Sequence, residues 1–153
     1  MKNIHESLQS TKFLLVLTLI SFLSVASALL AGGVILVGMT GNDSLDAWSV
    51  SEVSRACDEY NRNNPDDYMT WDTFGSAAEA NSMAEEYGET MGLDSVVWGH
   101  GNGADSMQVG GQDVKDSDFK DAYIKDTLHC KKNNGGDKST QQMMDDTLKA
   151  LKE

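Results

Sequence analysis

The chain has 153 residues, with 12 Lys and Arg against 24 Asp and Glu, and a net charge of -12. This length fits one small domain plus a targeting or membrane segment and excludes a second full domain. The hydrophobic fraction of 40% excludes a disordered acidic tail and a polytopic membrane protein. The acidic excess also excludes nucleic acid as an expected partner, because contacts to phosphates need Lys and Arg.

An apolar stretch near the N-terminus dominates the first part of the chain. Residues 13–39 contain no charged side chain, and at about 1.5 Å per helical residue they can cross the roughly 30 Å hydrocarbon core of a bilayer. Lys2 and Lys12 precede the stretch, whereas Asp43 and Asp46 follow it. The positive-inside rule therefore predicts a single-pass helix with the N-terminus in the cytoplasm.

A cleaved secretory signal is the alternative interpretation of the same stretch. Ala26-Ser27-Ala28 matches an A-x-A-type cleavage site, and cleavage after Ala28 would give a secreted protein. The apolar run continues beyond that site to Gly38, which favours the uncleaved anchor. Both interpretations place the remainder of the chain outside the cytoplasm.

Small residues recur at helical spacing within the predicted membrane helix. Ser24, Ala28 and Gly32 follow one another at intervals of four, and Ser27 and Ala31 form a neighbouring pair. Such a ridge lets two helix backbones approach closely, so these residues are predicted to pack against another helix. The alternative is that small residues are simply common in membrane helices and near cleavage sites.

Two cysteines, Cys57 and Cys130, fall in the predicted exported region. In an oxidising compartment two thiols usually pair, so the sequence predicts a Cys57–Cys130 disulfide, with two separate buried thiols as the alternative. A structural zinc site is not expected, because neither cysteine has a C-x-x-C partner and only His100 and His129 accompany them.

Apolar periodicity predicts four helices in the exported region. They run from Ser44 to about Asn63, from Ser76 to Met91, from Ser117 to Lys132, and from a Ser139 cap to the C-terminus. Between the first two, 66–74 is predicted to be a turn or a short helical piece. Ser95–Trp98 is predicted to be a short strand, and the rest of 93–114 to be loop. Irregular surface segments often carry function, which directs attention to that loop.

The Gly-rich run Gly99-His100-Gly101-Asn102-Gly103 superficially matches a phosphate-binding loop, but it lacks the following helix and the Lys that such a loop needs. His100 with Asp105 is a weak candidate for a metal site or a base, and no G-x-S-x-G nucleophile motif is present. No cofactor is therefore expected.

Two acidic runs invite comparison with calcium loops because they supply hard oxygen ligands. Neither matches the EF-hand pattern. The runs are Asp113, Asp116 and Asp118, and Asn63, Asp66 and Asp67.

Together these features predict a single N-terminal transmembrane helix plus a small, mainly α or α+β, exported domain with one disulfide. The predicted segments are a cytoplasmic N-terminus (1–12), a transmembrane helix or signal sequence (13–39), and an extracytoplasmic acidic domain (40–153). The corresponding function is a non-catalytic, membrane-anchored subunit of a larger assembly, whose partners are the membrane and other membrane-protein subunits or copies of itself. The alternative is an exported binding module or enzyme with its site in the Trp98–Asp105 loop.

An apolar N-terminal helix followed by a small exported disulfide domain resembles the architecture of type IV pilins, over mainly the first 60 residues. This resemblance implies a filament subunit as a further alternative. The pilin processing motif, a Gly followed five residues later by a Glu inside the apolar stretch, is missing.

Overall fold

A computed structural model describes residues 32–130 and 139–153, which form an α/β domain with a mixed six-stranded sheet and three α-helices. The strands are β1 (Gly32–Gly38), β2 (Tyr68–Phe74), β3 (Asp94–Gly101), β4 (Ser106–Val109), β5 (Gln112–Lys115) and β6 (Ile124–Cys130). The helices are α1 (Asp43–Asn63), α2 (Ala77–Met91) and α3 (Thr140–Ala150), and a 3₁₀ turn spans Asp116–Asp118. The mainly helical fold predicted from the sequence is therefore wrong.

Four of the strands are parallel and lie in the order β2-β1-β3-β6. The β4–β5 hairpin adds two antiparallel strands beside the end of β3. Residues of α1 and α3 pack on one face of the sheet, here called the α1/α3 face, and residues of α2 pack on the other. Both faces of the parallel strands are therefore covered, as is usual for parallel sheets.

The central strand β1 overturns the predicted membrane helix at residues 32–38, whereas residues 13–31 of that prediction lie outside the described part of the chain. Residues 34–37 are at most 2% exposed and pack alternately on the two faces of the sheet. Such a continuous apolar run is typical of a parallel strand buried on both sides, and its sequence alone resembles the end of an apolar helix. Among the described residues, no helix has both the length and the apolar character needed to cross a bilayer. The single-pass membrane topology predicted above is thus not supported.

Most of the predicted helix-packing ridge lies outside the described residues, as does the predicted cleavage site. This applies to Ser24, Ser27, Ala28 and Ala31. Gly32, in contrast, begins β1, where a Cβ atom would lie 1.8 Å from the carbonyl oxygen of Tyr68. The glycine there allows two strands to pair closely.

The predicted disulfide is also wrong, because Cys57 and Cys130 are not bonded to each other. Helix α1 begins at the carboxyl edge of the sheet and runs back across it, so Cys57 lies roughly 20 Å along the helix axis from Asp43. Cys130 ends β6 at the carboxyl edge itself. A disulfide requires Cα atoms within about 7 Å, and these two positions lie towards opposite edges.

Three predicted helices are confirmed, and so is the predicted Ser139 cap, whereas the first helix begins at an Asn42 cap and not at Ser44. Asn42 caps α1, its side chain accepting from the N–H groups of Ser44 and Leu45. Ser76 caps α2, which stops at Gly92 in the left-handed conformation, and Ser139 caps α3. The short strand predicted over Ser95–Trp98 is confirmed as part of β3.

Two other segments predicted as helical or turn are strands. Residues 68–74 form the edge strand β2, and residues 124–130 form the edge strand β6 in place of the helix predicted over 117–132. Edge strands are half exposed and carry polar residues, which blurs their alternating pattern. In both strands an Asp carboxylate accepts the N–H of the following Thr, Asp72 with Thr73 and Asp126 with Thr127.

Helix α3 docks on the α1/α3 face through a small set of polar contacts. The indole nitrogen of Trp98 donates to Thr147 Oγ1 (2.8 Å), which in turn donates to the Met143 carbonyl oxygen (2.8 Å). Thr140 Oγ1 donates to the Glu52 carboxylate (2.5 Å). That hydrogen bond, with a second from Arg55, lowers the pKa of Glu52. These contacts fix the helix that follows β6 in the chain.

Candidate active site

The carboxyl ends of the four parallel strands meet at one edge of the sheet, which is where ligands bind in open α/β sheets. Two chemically capable side chains end neighbouring strands there. His100 is the penultimate residue of β3, and Cys130 is the last residue of β6. The two are direct register partners across the parallel pair.

His100 and Cys130 project from the same face of the sheet. Trp98 and Leu128 precede them by two positions and pack in the core under α1 and α3, so the alternation of strand side chains places His100 and Cys130 on that face also. Neighbouring strands lie about 4.8 Å apart. An imidazole and a thiol are therefore side by side at the carboxyl edge.

The Cys130 thiol and the His100 imidazole are both largely shielded from solvent. Cys130 is 7% exposed, and its Sγ donates to the carbonyl oxygen of Gly99 at 3.3 Å, one residue before His100. His100 is half-buried, with its Nδ1 atom inaccessible to solvent. The thiol is thus held against the backbone of the strand that carries the imidazole.

The glycines around His100 serve packing. A Cβ atom on Gly99 would lie 2.0 Å from Met107 Sδ, and one on Gly101 would lie 2.9 Å from the Cβ of His129. Both glycines thus make room for side chains of neighbouring strands on the face opposite His100. The Gly-rich run begins within β3 and leads into the hairpin, and it does not form a phosphate-binding loop.

The loop between β1 and α1 is the other place where this fold could bind an anion, and its own carboxylate fills it. Asp46 accepts from the Thr40 N–H (2.7 Å), the Thr40 hydroxyl (2.7 Å) and the Gly41 N–H (3.0 Å). The donors that a phosphate would need are already used, and Asp46 would repel it. The chemistry of this edge therefore depends on His100 and Cys130.

His129 lies beside Cys130 in sequence but on the opposite face of the sheet. Its Nε2 atom is 2.8 Å from the Asp116 carboxylate, joining β6 to the 3₁₀ turn. The backbone N–H of Asp116 donates to the Asp105 carbonyl oxygen (3.0 Å). His129 and Asp105 thus belong to the scaffold around the hairpin.

Across residues 32–130 and 139–153, no group of three or more His, Cys, Asp or Glu side chains is arranged to hold a metal ion. Carboxylates of both acidic runs make protein contacts. Asp113 accepts from Asn102, and Asp118 accepts from the Lys115 N–H. Asp67 accepts a hydrogen bond from the Tyr60 hydroxyl. Burial, with a smaller contribution from this hydrogen bond, raises the pKa of Tyr60 to about 12.

The second cysteine differs sharply from Cys130. Cys57 is 2% exposed on the inward face of α1, and burial, with a smaller contribution from Asp58, raises the pKa of its thiol to about 12. A thiol of this kind is inert at neutral pH because the thiolate is the reactive form.

From the sequence, His100 was a weak candidate for a metal site or a base, whereas Cys130 was assigned to a disulfide. The sequence signal was clear at only one of the two positions: the predicted strand Ser95–Trp98 leads into His100, whereas the residues before Cys130 include Lys125, Asp126 and His129 and form no apolar run. Had 124–130 been predicted as a parallel strand, both residues would have been placed at one edge.

A cavity of about 600 Å³ lies elsewhere, between the second half of α1 and the start of α3. Arg55, Glu59, Tyr60 and Met144 are among its lining residues, and none of the lining residues is a Cys or a His. The cavity therefore does not coincide with the His100–Cys130 pair.

The sequence matches no family model, and neither the curated proteins nor the solved structures include one that is similar to the chain.

Proposed function

We propose that this protein is a cysteine-dependent acyl-transfer enzyme, a hydrolase, in which Cys130 is the nucleophile and His100 is the general base. The observation that carries the proposal is the pairing of His100 with Cys130 in register at the carboxyl ends of adjacent parallel strands. A nucleophile beside a base is the arrangement that activates a thiol for attack on a carbonyl carbon. Rigid strands hold both groups, which favours the precise geometry that such catalysis needs.

The reaction proceeds in two halves. His100 accepts the thiol proton, and the Cys130 sulfur attacks the carbonyl carbon of the substrate to give a tetrahedral intermediate. The imidazolium returns the proton to the leaving group as the carbon–leaving-group bond breaks, which leaves a thioester on Cys130. His100 then accepts a proton from water, the resulting hydroxide attacks the thioester, and the acid is released as the proton returns to sulfur.

A redox role fits this site less well. Thiol–disulfide exchange within one chain needs a second cysteine in reach, and Cys57 lies towards the opposite edge of the sheet with a thiol that burial keeps protonated. Base-assisted acyl transfer needs only the pair that the edge presents.

The proposal replaces the expectation of a non-catalytic membrane subunit. That expectation depended on a helix over 13–39, whose last seven residues before Met39 are the strand β1. The alternative expectation, an enzyme with a site in the Trp98–Asp105 loop, is retained in modified form, since it named His100 and lacked the nucleophile.

The test uses the full chain and an activated ester, p-nitrophenyl acetate. We expect a rapid first release of nitrophenolate, with one acetyl group located on Cys130 by peptide mass spectrometry. Cys130→Ala should abolish the acetylation, and His100→Ala should slow it by about 100-fold.

Matched controls come from the other cysteine and the other described histidine. Cys57→Ala and His129→Gln should leave the acetylation rate of Cys130 unchanged, because Cys57 lies away from the edge and His129 projects from the opposite face. An acetyl group found only on Lys or Tyr side chains, or an equal rate in His100→Ala, would contradict the proposal.

A further inference from the structure

Of the three edge strands in the described sheet, β2 is the most apolar and carries the fewest charges. The stretch Tyr68–Phe74 contains no Lys, Arg or Pro, and Asp72 is its one charged residue. Tyr68 is 55% exposed at its start. Open edges of this kind recruit strands from other molecules, and proteins usually block them with charged side chains, proline or short strands.

The other two edge strands are blocked in the usual ways. Strand β6 carries Lys125 and Asp126, and the Asp126 carboxylate also accepts from the backbone N–H of Thr127 (2.8 Å). Strand β5 has four residues, of which Asp113 and Lys115 are charged. Strand β2 has seven residues and one charge, so charge and length alone do not protect it.

Alternate residues of β2 turn their backbone groups away from β1. The Phe74 carbonyl oxygen accepts from the Met39 N–H (2.9 Å), in the residue that follows β1, so the backbone of Phe74 faces that strand. In a parallel pair, every second residue of an edge strand bonds to its neighbour, and the residues between them point outward. Met69, Trp71 and Thr73 are therefore the residues whose backbone groups form the open edge.

Two side chains, here called the edge caps, already bond to this edge. Asn61 in α1 accepts from the Met69 N–H (2.8 Å) through its Oδ1 atom and donates to the Met69 carbonyl oxygen (2.8 Å) through its Nδ2 atom. A neighbouring strand would bond to the same two groups. The Asp72 carboxylate accepts from the Thr73 N–H (2.8 Å). The edge caps thus cover the first and the last of the three outward residues.

The two edge caps are held by helices on opposite faces of the sheet. Asn61 is part of α1 itself. Asp72 is fixed by α2, because the Tyr87 hydroxyl donates to its second carboxylate oxygen (3.1 Å). Burial, followed by the nearby Asp72 charge, raises the pKa of Tyr87, so the hydroxyl keeps the proton that it donates.

The edge caps lie where a second copy of the chain would need to pair. Antiparallel pairing of two β2 strands about a two-fold axis at Trp71 would place Met69 of one copy opposite Thr73 of the other. Each such pair would need the Met69 groups and the Thr73 N–H, to which Asn61 and Asp72 already bond. Only the central Trp71 pair would lie outside the capped positions.

We infer that Asn61 and Asp72 keep β2 from pairing with the β2 strand of a second copy of this chain. Their side chains take the place of a partner strand at Met69 and Thr73, so the edge stays single although its sequence favours pairing. This role is separate from the proposed catalysis at the carboxyl edge, and its test can fail without affecting that proposal.

The experiment compares the full-length wild type with Asn61→Ala/Asp72→Ala by sedimentation velocity and by amide hydrogen exchange at Trp71. Removing both edge caps frees the backbone groups of Met69 and Thr73 for hydrogen bonds between copies, so we expect the dimer dissociation constant to fall at least about tenfold. The Trp71 N–H, at the centre of the new pair, should become protected as the protein concentration rises. In the wild type its exchange should not depend on concentration.

Two matched controls separate the hydrogen bonds of the edge caps from other effects. Asp72→Asn removes the charge but keeps a side-chain oxygen that can accept from the Thr73 N–H, so it should associate no more than the wild type. Asn64→Ala removes an amide that donates to the Tyr60 carbonyl oxygen at the end of α1 (2.9 Å). It too should match the wild type.

A folded double variant that associates no more than the wild type would overturn the inference. Concentration-dependent protection of Trp71 in the wild type would also overturn it, because the edge would already be paired. Association without protection of Trp71 would place the contact elsewhere and count against it as well. If circular dichroism shows that the double variant does not fold, Asp72→Ala is compared with Asp72→Asn. Stronger association of Asp72→Ala with protection of Trp71 supports the inference, and equal association overturns it.

Discussion

Truncating Leu36 in β1 tests the reassignment of the apolar segment most simply. Leu36 is 0% exposed and packs in the cluster formed with α2, against residues such as Phe74 and Met107. Leu36→Ala removes buried methyl groups and leaves a cavity, which costs about 2–5 kcal/mol in well-packed cores. For a domain of this size, each kcal/mol lowers the melting temperature by roughly 3–6 °C, so we expect a decrease of about 6–30 °C.

The assay is thermal and urea unfolding of the full chain, followed by circular dichroism and by tryptophan fluorescence. Leu45→Ala is the matched control, because it makes the same chemical change at a less buried position in the first turn of α1 and should cost less than about 1 kcal/mol. If Leu36→Ala unfolds at the same temperature and urea concentration as the wild type, residue 36 is not part of the core. The assignment of β1 would then be wrong.

Three further predictions concern separate parts of the fold. Cys57, whose thiol pKa burial raises to about 12, should resist iodoacetamide at pH 8 in the folded chain and react only on unfolding in urea; modification of the folded chain would contradict its burial. Gly88→Ala should lower the free energy of unfolding by about 1–3 kcal/mol, because the added Cβ would lie 2.2 Å from the Tyr123 ring. Combining it with Tyr123→Ala should cost less than the sum of the two single changes, and strict additivity would exclude the clash. The pKa of Glu52 is lowered by its hydrogen bonds from Thr140 and Arg55, so its contribution to stability is present above the unfolded-state value of 4.5 and is lost as pH falls through the folded-state value. Glu52→Gln should therefore lower the free energy of unfolding at pH 7 and make that free energy fall less steeply between pH 5 and 3. If the variant loses stability with pH in the same way as the wild type, Glu52 does not contribute to the acid dependence.

The three main helices could be predicted from the sequence because their signals are local. Ser76 and Gly92 bound α2, and Ser139 begins α3 with a hydroxyl that accepts the Gln142 N–H. Caps and apolar periodicity depend only on residues within a few positions of one another. They therefore hold regardless of what the helix packs against.

The sheet could not be predicted in the same way, because its strands are defined by partners distant in the chain. The run Val34–Val37 is apolar on both faces only because α1 and α2 cover the sheet from opposite sides. Its sequence continues an apolar stretch from residue 13, and periodicity alone does not separate a buried strand from the end of an apolar helix. The error in the membrane topology follows from this ambiguity, whereas the error in the fold class also comes from β2, β6 and the β4–β5 hairpin, which were predicted as turn, helix and loop.

The β4–β5 hairpin has a recognisable sequence pattern that was not used to predict it. Met107 and Val109 alternate with polar residues and are followed by Gly110-Gly111, and Gly-Gly between alternating residues is typical of a two-residue hairpin turn. With that hairpin and the strand β6 recognised, His100 and Cys130 would have been placed at one edge of the sheet. The candidate site was thus half predicted: His100 was singled out as a weak candidate, and Cys130 was assigned to a disulfide.

The most direct test of the central claim is the rate at which iodoacetamide modifies Cys130 at neutral pH in the folded wild type and in His100→Ala. Peptide mass spectrometry reads Cys130 and Cys57 in the same sample, so the inert thiol serves as an internal reference. Because the thiolate is the reactive form and His100 removes the thiol proton, we predict that Cys130 reacts faster than Cys57 and at least about tenfold faster in the wild type than in His100→Ala. Equal rates in the two proteins, or a Cys130 as unreactive as Cys57, would contradict the assignment of a nucleophile and base at the carboxyl edge of the sheet.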